Sequence, residues 1–254
     1  MRVARLAFNR GLVSKLGLAR ADVGRLALAA QIQTNWISRV LGSMTIRPGT
    51  GFIVATKDNL ESRSIPFVFA TNDTAHIELT NLKMRVLVSD ALITRPSVAS
   101  TIANGNFDTD LTSWTDNDEA GGTSVWVTGG YMGLTGNGTT AAIRDQSVVV
   151  GTPNIEHALR IAIQRGPVRL RVGSSSGDDD YIVETELDTG EHSLAFTPSA
   201  GNFHVRFFSR LKRQVLVDSC TVEAAGVMEL TTPWTTAQLD LIDAGELNQS
   251  ADII

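Results

Sequence analysis

Between residues 101 and 225 short apolar runs alternate with Gly-, Asn- and Asp-rich turns at even spacing, and that rhythm restricts the segment to a fold built from strands. The runs fall at 124–127, 131–135, 141–149, 157–163, 168–172, 181–187, 191–196, 203–209 and 214–223. Gly129-Gly130, Gly136-Asn137-Gly138 and Asp188-Thr189-Gly190 mark turns between them. Gly136 and Gly138 are not followed by a helical pattern, so they read as a hairpin turn rather than a phosphate cradle. The pattern is that of an all-β sandwich or jelly roll.

The flanks read differently. Residues 18–40, LARADVGRLALAAQIQTNWISRV, are rich in Ala, Leu, Arg and Gln, with Asp22 placed to cap a helix. Val23, Leu26, Ala30, Trp36, Ile37 and Val40 give it an apolar stripe, and Gly42 can end it. Arg47-Pro48-Gly49 then marks a turn. GFIVAT, SIPFVFA, AHIEL and MRVLVSDALI, between 51 and 93, predict a small antiparallel sheet packed on that helix, an α+β unit. Near the other end, Thr235 or Thr236 is placed to cap a short helix. The expected fold is mainly β: a small α+β domain with one N-terminal helix and an antiparallel β-sandwich of jelly-roll type.

Charge and cysteine content remove several function classes. The formal net charge is −5 and the Lys and Arg residues are scattered, so no basic stripe follows a phosphate backbone. A mildly negative surface instead suits one past which DNA slides without adhering. Cys220, the one cysteine, excludes an internal disulfide framework and a Cys-based zinc cluster. No apolar run approaches the ~20 residues that cross a bilayer. The basic start, residues 1–10, lacks a following apolar region and cleavage site, and no signal peptide is expected.

Candidate site residues are few. Asp108, Asp110, Asp116, Asp118 and Glu119 surround Trp114; solvated turns, calcium and a glycosidase carboxylate pair are the readings open to them. Asp178-Asp179-Asp180 reads as a hydrated loop, a cation site or a rim that repels DNA. Trp126 and Tyr131 are candidates for stacking on a sugar ring, against ordinary sheet packing. His76, His157, His192 and His204 are far apart in strand-like contexts. Neither a metal-binding His pair nor a GxSxG or P-loop motif occurs, and no catalytic residue or required cofactor is expected.

Phrases at both ends carry a family resemblance. Phe8-Asn9-Arg10-Gly11, Leu18-Ala19-Arg20-Ala21-Asp22, Leu26-Ala27-Leu28, Gln33-Thr34-Asn35-Trp36 and Arg47-Pro48-Gly49-Thr50-Gly51-Phe52 follow one another. Later come Ile65-Pro66-Phe67-Val68-Phe69, Met84-Arg85-Val86, the stretch Thr232-Pro233-Trp234 to Leu239, and Gln249 to Ile253. In this order they resemble a podovirus-type tail tube or nozzle protein family of tailed bacteriophages, with Leu12 standing where the family usually has Glu. The middle then reads as an insertion. Asn104-Gly105-Asn106-Phe107-Asp108 with Leu111-Thr112-Ser113-Trp114, and the later Val215 to Val222 strand, resemble the opening and close of carbohydrate-binding-module-like jelly rolls.

The resemblance implies three segments: 1–100, the leading stretch of the tail-protein α+β domain; 101–226, the inserted jelly roll; 227–254, a return to the first domain. It implies an inward Trp114 and a calcium ion held by Asp218, Asn106 and Asp108. It also implies a structural virion protein: a cyclic ring, commonly a hexamer, that conducts and retains DNA beside a portal, an adaptor and other tail proteins. The jelly roll would project toward fibres or a host surface glycan. A thin sheet with open edges has physical reason to join a ring, because a closed cyclic interface covers every edge. The rival expectation is a carbohydrate-binding module of an adhesin or of a glycan-active enzyme.

Overall fold

The computed structural model describes residues 44–70 and 72–242, with 32–39 and the isolated positions 12, 14, 23, 24, 29 and 30. The chain divides into two compact units, 1–52 and 53–254. In the first, β1 (Trp36–Ser38) and β2 (Met44–Ile46) pair antiparallel, with Trp36 facing Ile46 and Ser38 facing Met44. The expected helix over 18–40 therefore does not include its last turns. Asn35 takes the left-handed conformation, φ 61°, which stops a helix before Trp36, and the aromatic and β-branched Trp36-Ile37 pair continues as strand. Residues 18–22, 25–28 and 40, and the phrases at 8–11 and 249–253, lie outside the described residues.

Residues 51–56, where a strand is expected, form none, and a 3-10 turn, Lys57–Asn59, follows them. A buried ion pair explains why. Arg85 Nη2 donates to the Ala55 carbonyl at 2.9 Å and the Lys57 amide donates to Glu78 Oε1 at 3.0 Å. The backbone groups a strand would offer to a neighbour are thus taken by side chains. Arg85 Nη2 also meets both Glu78 oxygens at 2.9 Å, and both residues are buried.

Five strands then follow: β3 (Arg63–Ala70), β4 (Asp73–Thr80), β5 (Lys83–Val88), β6 (Ala91–Leu92) and β7 (Thr94–Arg95). β3, β4 and β5 pair in sequence order, and β6 folds back on β5. β3 is the edge, where the missing N–H of Pro66 costs no ladder bond.

Ten strands make the jelly roll: β8 (Thr115–Asp116), β9 (Thr123–Val127), β10 (Tyr131–Thr135), β11 (Ala142–Val149), β12 (His157–Arg165), β13 (Val168–Gly173), β14 (Ile182–Leu187), β15 (Gly190–Phe196), β16 (Asn202–Ser209) and β17 (Val215–Val222). They form two antiparallel five-stranded sheets, β15-β12-β17-β10-β9 and β14-β13-β16-β11-β8. Period-two patterning selects the inner faces. Leu159, Ile161 and Ile163 of β12 and Val168, Leu170 and Val172 of β13 are buried in the core with Phe203, Val205 and Phe207 of β16. Phe107 and Trp114, from the loop before β8, close one end; their rings meet edge-on at 5.6 Å.

Gly136-Asn137-Gly138 is not a hairpin. It carries the chain from β10 in one sheet to β11 in the other, and the Gly136 and Gly138 amides donate to the Leu211 and Arg210 carbonyls at 2.8 Å each. Asp188-Thr189 likewise crosses between sheets, from β14 to β15. Glycine is required at 136 because a Cβ would come within 2.5 Å of the Arg210 backbone.

The chain leaves the jelly roll beside its point of entry. β18 (Gly226–Val227) pairs with β7, and β19 (Glu229–Thr231) joins the edge of β5. α1 (Thr236–Leu239) follows, with the Gln238 side chain accepting the Thr235 amide at 2.9 Å. α1 inserts Leu239 against Ile65 and Leu79 of the small sheet. The helix that covers this sheet in the described structure therefore comes from the return segment, not from the segment before the sheet.

Cys220 is fully buried in the core, and burial alone pushes its thiol far above the ordinary range. A thiol-specific reagent is expected to leave the native protein unlabelled and to modify one site per chain in denaturant. Labelling of the native protein at the denatured rate would contradict this core.

Candidate functional site

The outer face of the sheet β14-β13-β16-β11-β8 gathers groups that alternation points away from the core. Two cross-strand rows result. In one, Glu186, Arg169, Phe208 and Ile143 lie side by side on β14, β13, β16 and β11. In the next, Arg171, Arg206 and Asp145 are neighbours. Two arginines directly opposite each other repel, so each is neutralised. Arg206 donates to Asp145 Oδ1 at 2.8 Å and Oδ2 at 2.6 Å; Arg171 Nε donates to Glu184 Oε2 at 3.1 Å. Arg169 pairs with Glu184 and reaches Glu186 at 3.5 Å.

Phe208 is nearly covered. The guanidinium carbons of Arg171 and Arg210 lie over its ring, 5.4 Å and 5.5 Å from the centroid. Two clefts of about 150 Å3 adjoin here. One is lined by Glu119, Ile143, Arg171 and Arg206, the other by Pro167, Arg169, Glu186 and Leu211; Phe208 and Arg210 line both.

Two acids of this face, Asp145 and Glu184, are held ionised. Burial pushes the Asp145 carboxyl up, but hydrogen bonds from Arg206, Ser176 and Asn117 and the Arg206 charge outweigh it and leave it below the usual range. Glu184 is held low by the Arg171 hydrogen bond first and by Arg169. The sign for stability follows. A carboxyl depressed in the folded state stabilises above its unfolded pKa, near 3.8 for Asp145, and that contribution disappears as pH falls through the folded value. Between pH 5 and pH 2 the unfolding free energy of the Asp145→Asn variant is therefore expected to fall less steeply than that of the parent. Equal slopes in denaturant titrations would refute it.

The residues singled out in the sequence are dispersed. Trp126 faces Met132 in the register and so belongs to the inner face at the rim, 36% exposed, its indole N–H donating to the Phe107 carbonyl at 2.7 Å. Tyr131 pairs with Val127 and stands on the opposite face of the same sheet, its ring against Gly129. The two rings do not share one stacking platform.

Asn106 and Asp108 lie in the loop that opens the jelly roll. There the Asn104 amide gathers acceptors: Nδ2 donates to the Asp110 carbonyl at 3.0 Å, Asp110 Oδ1 at 2.9 Å and the Thr112 carbonyl at 3.0 Å. Asp218 sits on a β-bulge of β17; burial first and the Glu191 charge second push its carboxyl up. Among the described residues no three His, Cys, Asp or Glu side chains are grouped to hold a metal ion.

The acids near Trp114 act on backbone. Asp118 accepts the Ile143 and Ser124 amides at 2.6 Å each, Glu119 accepts the Ala141 amide at 2.7 Å, and Asp116 pairs with Arg144. Asp180 accepts the Ser174 amide, and Asp179 the Glu184 amide. The four histidines lie on four different strands. His157 is buried against Ser100 at 2.7 Å, and Ser64 Oγ lies 3.2 Å from His76 Nδ1. A wider cleft of about 580 Å3 on the small sheet includes Ser64, His76 and Asp90.

Arg171, Phe208 and Arg210 were not anticipated as site residues. Alternation in VRLRVG and NFHVRFFS already sends Arg169, Arg171, Arg206 and Phe208 outward; which strands are neighbours is the information the sequence lacked.

No protein-family model matches the chain, and no curated protein matches it. Among solved structures it is similar to the apo form of BiXyn10A CBM1, at 15% identity and a TM-score of 0.38 over 50% of this chain and 98% of that one. It is also similar to the enzymatically active domain of bacteriophage CBA120 tailspike protein 4, at 14% identity and a TM-score of 0.38, covering 49% of this chain and 21% of that one. TmCBM61 in complex with beta-1,4-galactotriose is similar at 12% identity and a TM-score of 0.35, over 48% of this chain and 97% of that one.

Proposed function

We propose that the chain is a non-catalytic binding protein whose jelly roll contacts a glycan on the outer face of the β13–β16 sheet. The observation that carries this reading is the pair of clefts meeting at Phe208 and Arg210. Each is smaller than the ~300–1,000 Å3 of a pocket that engulfs a ligand. Side by side they suit successive units of a chain laid along a surface. The walls supply planar donors and fixed carboxylate acceptors, the groups that hydrogen-bond vicinal hydroxyls. Binding rather than hydrolysis is favoured because each cleft has one carboxylate in its lining, Glu119 in one and Glu186 in the other, whereas a glycosidase flanks the bond it cleaves with a pair. The test is a glycan array read for binding and for cleavage. Retention without cleavage, lost in Phe208→Ala at unchanged secondary structure, is expected; no retention of any glycan overturns the reading.

A second reading concerns the setting. We propose that the module is carried on a structural subunit of a tailed-phage virion, assembled as a ring, with six copies the number the resemblance implies. Its portal or adaptor neighbours, fibres and passing DNA are the partners the resemblance implies, and a calcium ion in the opening loop belongs to the same proposal. Favouring it is the way segments flanking the jelly roll form one sheet, β19-β5-β4-β3, that leaves β3 as an open edge. Light scattering with negative-stain imaging decides: rings of uniform diameter support it, and a strict monomer at high concentration contradicts it.

A further inference from the structure

Resting on the glycan-binding reading, we propose that the sugar at the Phe208–Arg210 ridge is an acidic one, its carboxylate taken by the Arg210 guanidinium. The four arginines of this face are not equivalent. Arg169 and Arg171 share Glu184, and Arg206 is clasped by Asp145. Arg210 is exposed, and among the described residues its guanidinium has no hydrogen bond and no ion pair, only the Phe208 ring beneath it. A guanidinium offers two parallel N–H donors spaced for a carboxylate, and Arg210 has kept both available.

Position strengthens the argument. The Arg210 carbonyl accepts the Gly138 amide at 2.8 Å, which ties the backbone to the crossing loop, while the ring holds the side chain. Much of the ordering that binding would otherwise require is therefore already done. The carboxylates lining the clefts each have a partner already. Glu119 accepts the Ala141 amide at 2.7 Å and Glu186 faces Arg169 at 3.5 Å. The one group on the ridge whose charge lacks a partner is positive.

The experiment uses the full chain on an array of neutral oligosaccharides, uronate-bearing and sialylated oligosaccharides, and the methyl esters of the acidic members. The expected result is retention of acidic members, lost on esterification, weakened by raised salt, and reduced about tenfold or more in Arg210→Gln. Arg213→Gln, a control whose guanidinium faces the Gly166 carbonyl, is expected to retain parental binding. Preference for neutral members, or equal binding of acids and their esters, overturns the acidic assignment and leaves the glycan reading standing. Retention of nothing overturns both. Loss in both variants assigns the effect to general surface charge and overturns the role of Arg210.

Discussion

Replacing Glu223 with alanine is expected to destabilise the protein by about 3 kcal/mol, the lower end of the range for stripping one partner from a buried ion pair. Glu223 sits at the neck, just before the chain leaves the jelly roll, and Arg95 stands just before it enters. Arg95 Nε donates to Glu223 Oε2 at 2.9 Å, and Arg160 Nε faces Oε1 at the same distance. Both Glu223 and Arg95 side chains are almost fully buried. The lower end applies because neither arginine is left without company: Arg95 keeps Glu156 and Ser193, and Arg160 keeps Glu191. Entry and exit are otherwise paired by the two-residue strands β7 and β18 and by the Met228 amide, which donates to the Ile93 carbonyl at 2.9 Å. A double change, Glu223→Leu with Arg95→Met, removes both charges and is expected to cost less than Glu223→Ala alone. Urea titrations of the three variants measure this; a single-variant cost below about 1 kcal/mol would show that the neck does not depend on the pair.

How much of this was legible beforehand depends on the range of the interaction. Strands β9 to β17 fall within a few residues of the apolar runs, because alternation such as VRLRVG is a local signal that burial on one face imposes directly. The mainly β, jelly-roll class followed from it. Signals that a neighbour overrides did not read true. Trp36 and Ile37 fit a helical stripe, but Asn35 with positive φ interrupts it and the two residues pair as strand. GFIVAT looks like a strand, yet Arg85 takes its Ala55 carbonyl and Glu78 the amide of Lys57 just after it. The site was less legible than the fold for the same reason. Trp126 and Tyr131 are close in sequence, but a register in which they occupy opposite faces separates them. Arg171 and Phe208 meet because β13 pairs with β16 although β14 and β15 lie between them in the chain, which no local pattern states.

Gly105→Ala is expected to be the most damaging small substitution in the opening loop, because the clash is backbone against backbone. A Cβ at 105 would lie 2.1 Å from the Cys220 carbonyl oxygen, far inside contact distance. Neither group is a flexible side-chain end. The Gly105 carbonyl accepts the Cys220 amide at 2.7 Å, so the loop and β17 are already drawn together by that bond. Relief requires the loop to lift from β17, and the cost spreads to what the loop carries. Phe107 and Trp114 fill the end of the core, and the Trp114 indole N–H donates to the Asn104 carbonyl at 3.2 Å. Overpacking of this kind costs about 1–3 kcal/mol where the surroundings can yield, and more where they cannot. Here the neighbour is the central strand of its sheet, so a loss above about 3 kcal/mol is expected. Gly190→Ala is the contrasting case: φ is 136° there, but a Cβ would meet nothing within 4 Å. Thermal unfolding of both variants separates steric closure from backbone strain. If Gly105→Ala melts at the parental temperature, the opening loop does not sit on β17 as described, and the end of the core that Phe107 and Trp114 seal must be closed in another way.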